Sequence, residues 1–194
     1  MRHPASVVAM WGMLLVAPQA SATTYAIDQA HTTVSFRIRH LFSYVQSTFN
    51  EFEGTFEYVP GQPGQWKAQA VIQASSIDTR VEKRDAHLRS KDFFDVERYP
   101  TITFTSTGVT DATETTAKLQ GLLTIHGVEQ PVTLDLAIHG EGKDPWGNVR
   151  SGFTATTTLD RKAFGLTWNE ALETGQLLVG EEVEITLEVE GIAK

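Results

Sequence analysis

The chain contains no cysteine among its 194 residues. This absence excludes disulfide bonds, thiolate metal sites, cysteine nucleophiles and an acylated N-terminal cysteine. The fold must therefore derive its stability from packing alone. Such a composition fits an exported bacterial protein, in which incorrect disulfides are avoided.

Long apolar runs are also missing from the sequence. The longest candidate, Val7 to Ala17, is far shorter than the roughly 20 apolar residues of a membrane-spanning helix. It follows a weakly basic start at Arg2 and precedes the small residues Ala20 to Ala22, which is the pattern of a cleavable signal peptide. We therefore expect a signal peptide at 1–22, one mature domain at 23–194, and a periplasmic or secreted protein that does not span a membrane.

Basic residues are outnumbered by acidic ones. The whole chain holds 16 Lys and Arg against 24 Asp and Glu, for a net charge of −8. Removal of residues 1–22 leaves 172 residues, in which 15 basic residues face 24 acidic ones, for a net charge of −9. This length suits one domain with a real core. The acidic balance argues against nucleic acid and anionic membrane as main partners.

Past residue 23, short runs alternate apolar and polar residues at period two. This alternation is typical of antiparallel strands with one buried face and one solvated face, and it predicts about eight or nine of them. The apolar positions that should share the inner face include Val34, Phe36, Ile38, Ala68, Ala70, Ile72, Phe104, Leu119, Leu123, Ile125, Val132, Leu134, Phe153, Val183 and Leu187. The sequence thus indicates an all-β barrel.

One charged segment interrupts the alternation and predicts a helix. Thr79 and Glu82 have capping-box spacing, so the helix should begin near Thr79 and end near Ser90. Its inward face would hold two apolar and two polar residues: Val81, Leu88, Arg84 and Asp85. Because such a face is only half apolar, the helix suits a lid across a barrel opening, with Phe93 and Phe94 tucked beneath it.

The inside of an eight-stranded barrel can be either hollow or filled. Ala68, Ala70 and Ala74 share one strand face with Trp66 and Ile72, and small residues there leave room where a filled core would need bulk. The residues alone leave both interpretations open. Phe164 and Trp168, beside a glycine, suit a plug or rim of the barrel, with ligand contact as the second interpretation.

Arg84, Asp85 and His87 suggest three different roles. An Asp–His pair can perform acid–base chemistry, which would make the protein an enzyme. No nucleophile motif such as GxSxG accompanies the pair, which favours a salt-linked lid helix instead. In the third interpretation, Arg84 or His87 contacts a polar headgroup at the mouth of the barrel.

The six histidines indicate no metal site. None has a spacing such as HExxH, and carboxylates do not cluster around them in the sequence. We expect His126 and His139 to face solvent, and His31 and His40 to be hydrogen-bonded structural residues. Trp146, which follows Asp144 in a turn, should anchor that turn.

Eight ordered segments cover nearly all of the mature chain. They are YAIDQAHTTVSFRIRHLF (Tyr25 to Phe42), SSIDT (Ser75 to Thr79), RDAHLRSKDFFD (Arg84 to Asp95), YPTITFTST (Tyr99 to Thr107), LQGLLTIHGVEQPVTL (Leu119 to Leu134), DPWGNVRSGF (Asp144 to Phe153), RKAFGLTWN (Arg161 to Asn169) and LLVGEEVEITLEVEG (Leu177 to Gly191). Together these segments resemble the YceI-like family of exported lipid-binding proteins.

The resemblance implies a lipocalin-like barrel of eight antiparallel strands with one short lid helix. Its apolar bore would hold a polyisoprenoid, an isoprenoid quinone or a fatty-acid derivative, with no other cofactor and no catalysis. The residues then expected to contact this ligand are Phe36, Ile38, His40, Phe42, Ala70, Arg84, His87, Leu88, Phe104, Leu123, Ile125, Phe153, Phe164 and Trp168. A homodimer stays open, as do two other functions: a lipid-modifying enzyme using Asp85 and His87, and a filled-barrel stress or interaction protein.

The predicted signal peptide has a direct test. Protein purified from its native host should begin at or near Thr23 and fractionate with the soluble periplasmic contents. N-terminal sequencing and intact mass measure the cleavage site. A full-length chain retained in the membrane fraction would contradict the prediction.

Overall fold

The computed structural model describes residues 22–173, 175 and 177–194. Nearly all of the predicted signal peptide therefore lies outside the described residues. The strands are β1 (Thr23–Ile27), β2 (Thr33–His40), β3 (Ser43–Phe49), β4 (Phe52–Tyr58), β5 (Lys67–Gln73), β6 (Ile77–Asp78), β7 (Thr101–Thr110), β8 (Thr116–Ile125), β9 (Val128–Lys143), β10 (Val149–Asp160) and β11 (Val179–Ala193). The helix α1 is Glu82–Arg89, and 3-10 helices span Pro63–Gln65, Ala74–Ser76 and Arg161–Phe164.

Antiparallel pairing joins the strands into a closed ring. The order is β1-β4-β5-β7-β8-β9-β10-β11, and the ring closes because β11 also pairs with β1. Since β11 is long, its residues 191–193 pair with β1, whereas 179–188 pair with β2. The segment β2-β3-β6 thus extends the wall beyond β1, β4 and β5. The prediction of an eight-stranded antiparallel barrel with one helix is confirmed.

Two apolar clusters fill opposite ends of the barrel. The lower cluster is built on Trp66, Ala117, Leu119, Leu134, Leu136 and Ala155. The upper cluster, which adjoins the loop after α1, is built on Phe49, Ala74, Ile77, Phe93, Phe94, Ile102 and Leu166. They lie at opposite ends because Ile102 begins β7, while Val109, which packs against the lower cluster, lies near the end of β7. Within the described residues, no helix is long and apolar enough to cross a membrane.

At the lower end, Arg150 forms hydrogen bonds with three carboxylates, those of Asp28, Asp144 and Glu190. We refer to this group as the polar knot. Arg150 Nη1 donates to Asp28 Oδ2 at 2.8 Å and to Glu190 Oε1 at 2.5 Å, while Arg150 Nε donates to Asp144 Oδ2 at 2.8 Å. The hydrogen bonds from Arg150 and then His31 lower the pKa of Asp28 to about 2. Arg150 also holds the pKa of Asp144 well below its usual range, helped by Asn148. The knot joins the loop after β1, the β9–β10 turn and β11.

The β9–β10 turn is held by Asp144 and not by Trp146. Asp144 Oδ1 accepts the backbone N–H groups of Trp146 and Asn148, both at 2.9 Å. The Trp146 side chain is 82% exposed. The prediction that Trp146 anchors this turn is therefore wrong, because an aspartate that accepts several N–H groups closes the turn without apolar contact.

His126 also differs from its prediction. It occupies a two-residue turn with Gly127 between β8 and β9, and both residues have positive φ, at 51° and 74°. The ring of Tyr99 lies 4.5 Å from the His126 ring, centroid to centroid, and leaves His126 half-buried. His139 is exposed, as predicted, and its Nε2 lies 2.8 Å from Thr154 Oγ1.

The polar knot generates a pH-dependent prediction. Arg150→Gln should lower the free energy of unfolding at pH 7, because three half-buried carboxylates lose their cation. A carboxyl with a lowered folded-state pKa stabilises the fold above its unfolded pKa of about 4, and this contribution is lost as pH falls through the folded value. The deficit of the variant should therefore narrow between about pH 4 and pH 2.

Urea unfolding of parent and variant across this pH range measures the deficit. Arg37→Gln is the matched control, since its ion pair with Glu184 is exposed and should change the free energy of unfolding much less than Arg150→Gln does. A deficit that is constant with pH would mean that Arg150 acts by packing and not by charge.

Candidate functional site

An internal cavity of about 580 Å³ is lined by most of the upper cluster and extends down to Leu134 of the lower cluster. This volume falls within the range of about 300 to 1,000 Å³ that is usual for small-molecule sites. The predicted ligand contacts that line the cavity are Phe36, Ile38, His40, Ala70, Arg84, His87, Leu88, Phe104, Leu123, Ile125, Phe164 and Trp168. The interior is thus hollow along its middle and not a filled core.

Two predicted contacts lie outside this cavity. Phe42 is 87% exposed, because it falls in the turn between β2 and β3, where the alternation of the strand has already ended. Phe153 does face inward, but its ring packs edge-on against Phe56 at 5.2 Å in the lower end, beside a second cavity of about 30 Å³. Inward alternation could not distinguish the filled end of the barrel from the hollow middle.

Small residues in the wall create the space. Ala70 of β5 lies opposite Gly54 of β4 and Phe104 of β7. A Cβ atom at Gly54 would lie 2.4 Å from the carbonyl oxygen of Gln69, so the strands approach too closely there for a side chain. Gly121 lets the ring of Phe104 lie against the wall, because a Cβ atom there would lie 2.4 Å from that ring. Of the three alanines on the predicted face, Ala70 therefore borders open space, whereas Ala68 packs against the lower cluster and Ala74 is buried in the upper one.

Helix α1 covers the upper end, but it begins later than predicted. Its first residue is Glu82, and Thr79 does not cap it. Instead, Asp85 Oδ1 accepts the N–H of Thr79 at 2.9 Å and its hydroxyl at 2.6 Å. Arg84 then donates from Nε to Thr79 Oγ1 at 2.7 Å. The capping-box prediction is wrong because the buried Asp85 accepts the N–H of Thr79 that Glu82 was expected to accept, and the Thr79 hydroxyl is occupied by Asp85 and Arg84.

His87 belongs to an aromatic group at the lid. Its ring lies edge-on to Phe93 and Trp168, with centroids at 5.1 and 4.8 Å. Its Nε2 lies 2.9 Å from Asp92 Oδ2. Asp85 bonds to Thr79 and His87 to Asp92, so the acid–base pair considered from the sequence is not formed.

The chain between β10 and β11 completes the rim of the cavity. Asn169 binds Val179 twice, donating from Nδ2 to its carbonyl at 2.7 Å and accepting its N–H at 3.1 Å. Phe164 is buried and lines the cavity together with Trp168. These contacts fix the rim between the lid and the start of β11.

Sequence reasoning missed Arg161, which borders the cavity although it is only 4% exposed. Its Nε donates to the carbonyl of Gly180 at 2.8 Å, and its Nη1 donates to the carbonyls of Leu166 and Trp168. Among the described side chains, its Nη2 is the buried polar atom without a hydrogen-bond partner. Burial lowers the pKa of Arg161. Arg161 comes directly after β10, at a position where the sequence suggests a solvent-exposed strand end. The apolar–polar alternation therefore did not predict that it is buried.

A second group of polar residues lies at the lower end. One ligating atom from each of Asp28, His31 and Glu190 falls within 4.8 Å of the others. The expectation that carboxylates do not gather around a histidine is thus wrong for His31. Arg150 already donates to both carboxylates, and His31 Nδ1 lies 2.8 Å from Asp28 Oδ2, so the side chains of this group are hydrogen-bonded to one another and to Arg150. His40, by contrast, lines the upper part of the cavity.

Known proteins share both the sequence and the fold. A family model described as YceI-like domain matches residues 25–191. A UPF0312 protein of Ectopseudomonas mendocina is 41% identical over 184 residues, which cover 93% of each chain.

Solved structures agree with this match. BcnA of Burkholderia cenocepacia superposes with a TM-score of 0.75 at 25% identity, over 84% of this chain and 98% of BcnA. A polyisoprenoid binding domain from Saccharophagus degradans shares the fold, with a TM-score of 0.68 at 16% identity, over 89% of this chain and 99% of that domain. The family match, the close relatives and the cavity-bearing barrel agree, and the chain belongs to the YceI-like family.

Proposed function

We propose that the protein is an exported carrier or sequestering protein that binds one long apolar molecule in its cavity without chemical change. The ligand classes that suit such a cavity are polyisoprenoids, isoprenoid quinones and fatty-acid derivatives. The observation that carries the proposal is the apolar cavity of about 580 Å³ inside the barrel. Export rests on the signal-peptide pattern of residues 1–22.

Burial of apolar surface gives this proposal enough binding energy. About 400 Å² of ligand surface, at ~25 cal/mol per Å², yields roughly 10 kcal/mol before the costs of association are subtracted. Carbon chains gain this energy along their whole length and need no directional partner. A polyisoprenoid-binding neighbour with the same fold supports the same class of ligand.

The enzymatic alternative requires a pair formed by Asp85 and His87, and these two side chains form no hydrogen bond with each other. Asp85 is 4% exposed and accepts two hydrogen bonds from Thr79, while His87 faces Asp92. A proton relay between Asp85 and His87 would require both side chains to leave their partners. The geometry favours binding over turnover.

Blocking the cavity by volume tests the proposal. Ala70→Phe should abolish the lipid that co-purifies with the mature protein while changing the free energy of unfolding of the lipid-free protein by less than about 1 kcal/mol, because the added ring enters open space. Native mass spectrometry and organic extraction measure the bound lipid, and chemical unfolding measures the stability.

The matched control lies two residues away on the same strand face. Ala68 packs against the lower cluster, so Ala68→Phe should cost about 1 to 3 kcal/mol through overpacking. A parent protein that carries no lipid and binds none when offered would refute the carrier function. An Ala70→Phe variant that carries as much lipid as the parent would place the ligand elsewhere.

A further inference from the structure

The charges around the cavity are distributed very unevenly. The chain has more acidic than basic residues, yet the cavity lining includes Lys83, Arg84 and Arg161 and no aspartate or glutamate among the described residues. All three cations lie at the lid end: Lys83 and Arg84 belong to α1, and Arg161 binds the carbonyl of Trp168, whose ring touches His87 of α1. The walls below them are almost entirely apolar.

These three cations have no carboxylate partner within the described part of the chain. The guanidinium of Arg84 donates to the hydroxyl and the carbonyl of Thr79, at 2.7 and 2.8 Å. Arg161 donates only to backbone carbonyls. Arg37 and Arg150, which lie outside the cavity, do bind carboxylates.

The nearby carboxylates are engaged elsewhere. Asp85 accepts from Thr79, and Glu82 lies 3.4 Å from Arg89 on the outer side of the helix. Asp160 accepts the N–H of Lys162 at 2.8 Å, and Glu181 binds the ammonium group of the same lysine. Among the described residues, these carboxylates therefore form no direct ion pair with the three cations, although Asp85 and Arg84 share the hydroxyl of Thr79.

Arg161 is buried, whereas Arg84 is half-buried and Lys83 is exposed. A buried charge is ordinarily paired, because an isolated one is costly. We propose, building on the carrier function above, that the cavity selects an amphiphile with an anionic oxygen group, a carboxylate or a phosphate. Lys83 and Arg84 hold this group at the lid, and the charge of Arg161 favours it from the wall. The apolar tail then extends down towards the lower cluster.

Ligands that share one tail and differ only in the head test this selection. Delipidated mature protein is titrated calorimetrically with oleate, oleyl phosphate, oleyl alcohol and oleylamine, each presented from cyclodextrin. The two anions should bind at least about tenfold more tightly than the alcohol, which corresponds to ~1.4 kcal/mol, because charge-assisted hydrogen bonds replace neutral ones. Oleylamine should bind more weakly than the alcohol.

Substitutions of Lys83 and Arg84 test whether these side chains cause the preference for an anionic headgroup. Lys83→Gln should weaken oleate binding about threefold to tenfold and leave oleyl alcohol binding unchanged, and adding Arg84→Gln should remove most of the remaining preference. Lys91→Gln is the control, since Lys91 is exposed near the end of α1 and lies outside the cavity lining. Thermal melting verifies that each variant is folded. Arg161 is left intact because it supports three backbone carbonyls.

The outcomes separate this inference from the carrier function. Equal affinity for oleate and oleyl alcohol would overturn the anionic selection and leave the carrier function in place. An anionic preference that survives in the Lys83→Gln, Arg84→Gln variant would overturn the assignment to these side chains. Failure of all four ligands to bind would count against the carrier function itself.

Discussion

Closure of the sheet by the pairing of β11 with both β1 and β2 is the constraint on which the rest of the structure depends. A sheet closed by eight strand positions encloses a fixed volume, and the inward residues decide whether that volume is filled. At the lower end, Trp66 and its neighbours fill it. In the middle, the small side chain of Ala70 leaves space, and Gly121 lets the ring of Phe104 lie against the wall. The cavity is thus a product of side-chain size within a wall that cannot collapse, since its backbone hydrogen bonds are already made.

The two ends of the barrel differ in how their arginine side chains are paired. At the lower end, one cation, Arg150, is held by three carboxylates, so each of these charges has a partner of opposite sign within the protein. At the upper end, Arg161 is desolvated with only carbonyl oxygens around it. The lower knot joins three carboxylates to one cation, whereas the upper cations have no direct ion pair within the described residues.

Period-two alternation predicted the barrel because burial of one face of each strand is a local requirement that leaves its mark on every second residue. The same alternation placed most cavity residues correctly, including Phe36, Phe104 and Leu123. Phe42 lies in a turn, where the alternation no longer applies. The alternation could not separate Phe153, which faces inward at the filled end, from the cavity residues, since depth along the barrel depends on strand pairing and not on the pattern within one strand. It also could not reveal Arg161, whose burial follows from distant backbone carbonyls that converge only in the folded chain.

The wall has one seam that bears on how the cavity fills. Strand β6 pairs with β3 alone among the described strands, and β7 begins alongside β5, so no ladder crosses from β6 to β7. Helix α1 and the loop that follows it cover this gap by side-chain packing of residues such as Phe93 and Phe94. Packing of this kind can loosen and re-form without breaking a sheet. The circumference of the upper barrel is therefore set at this seam by side-chain packing, whereas that of the closed ring below is set by strand pairing.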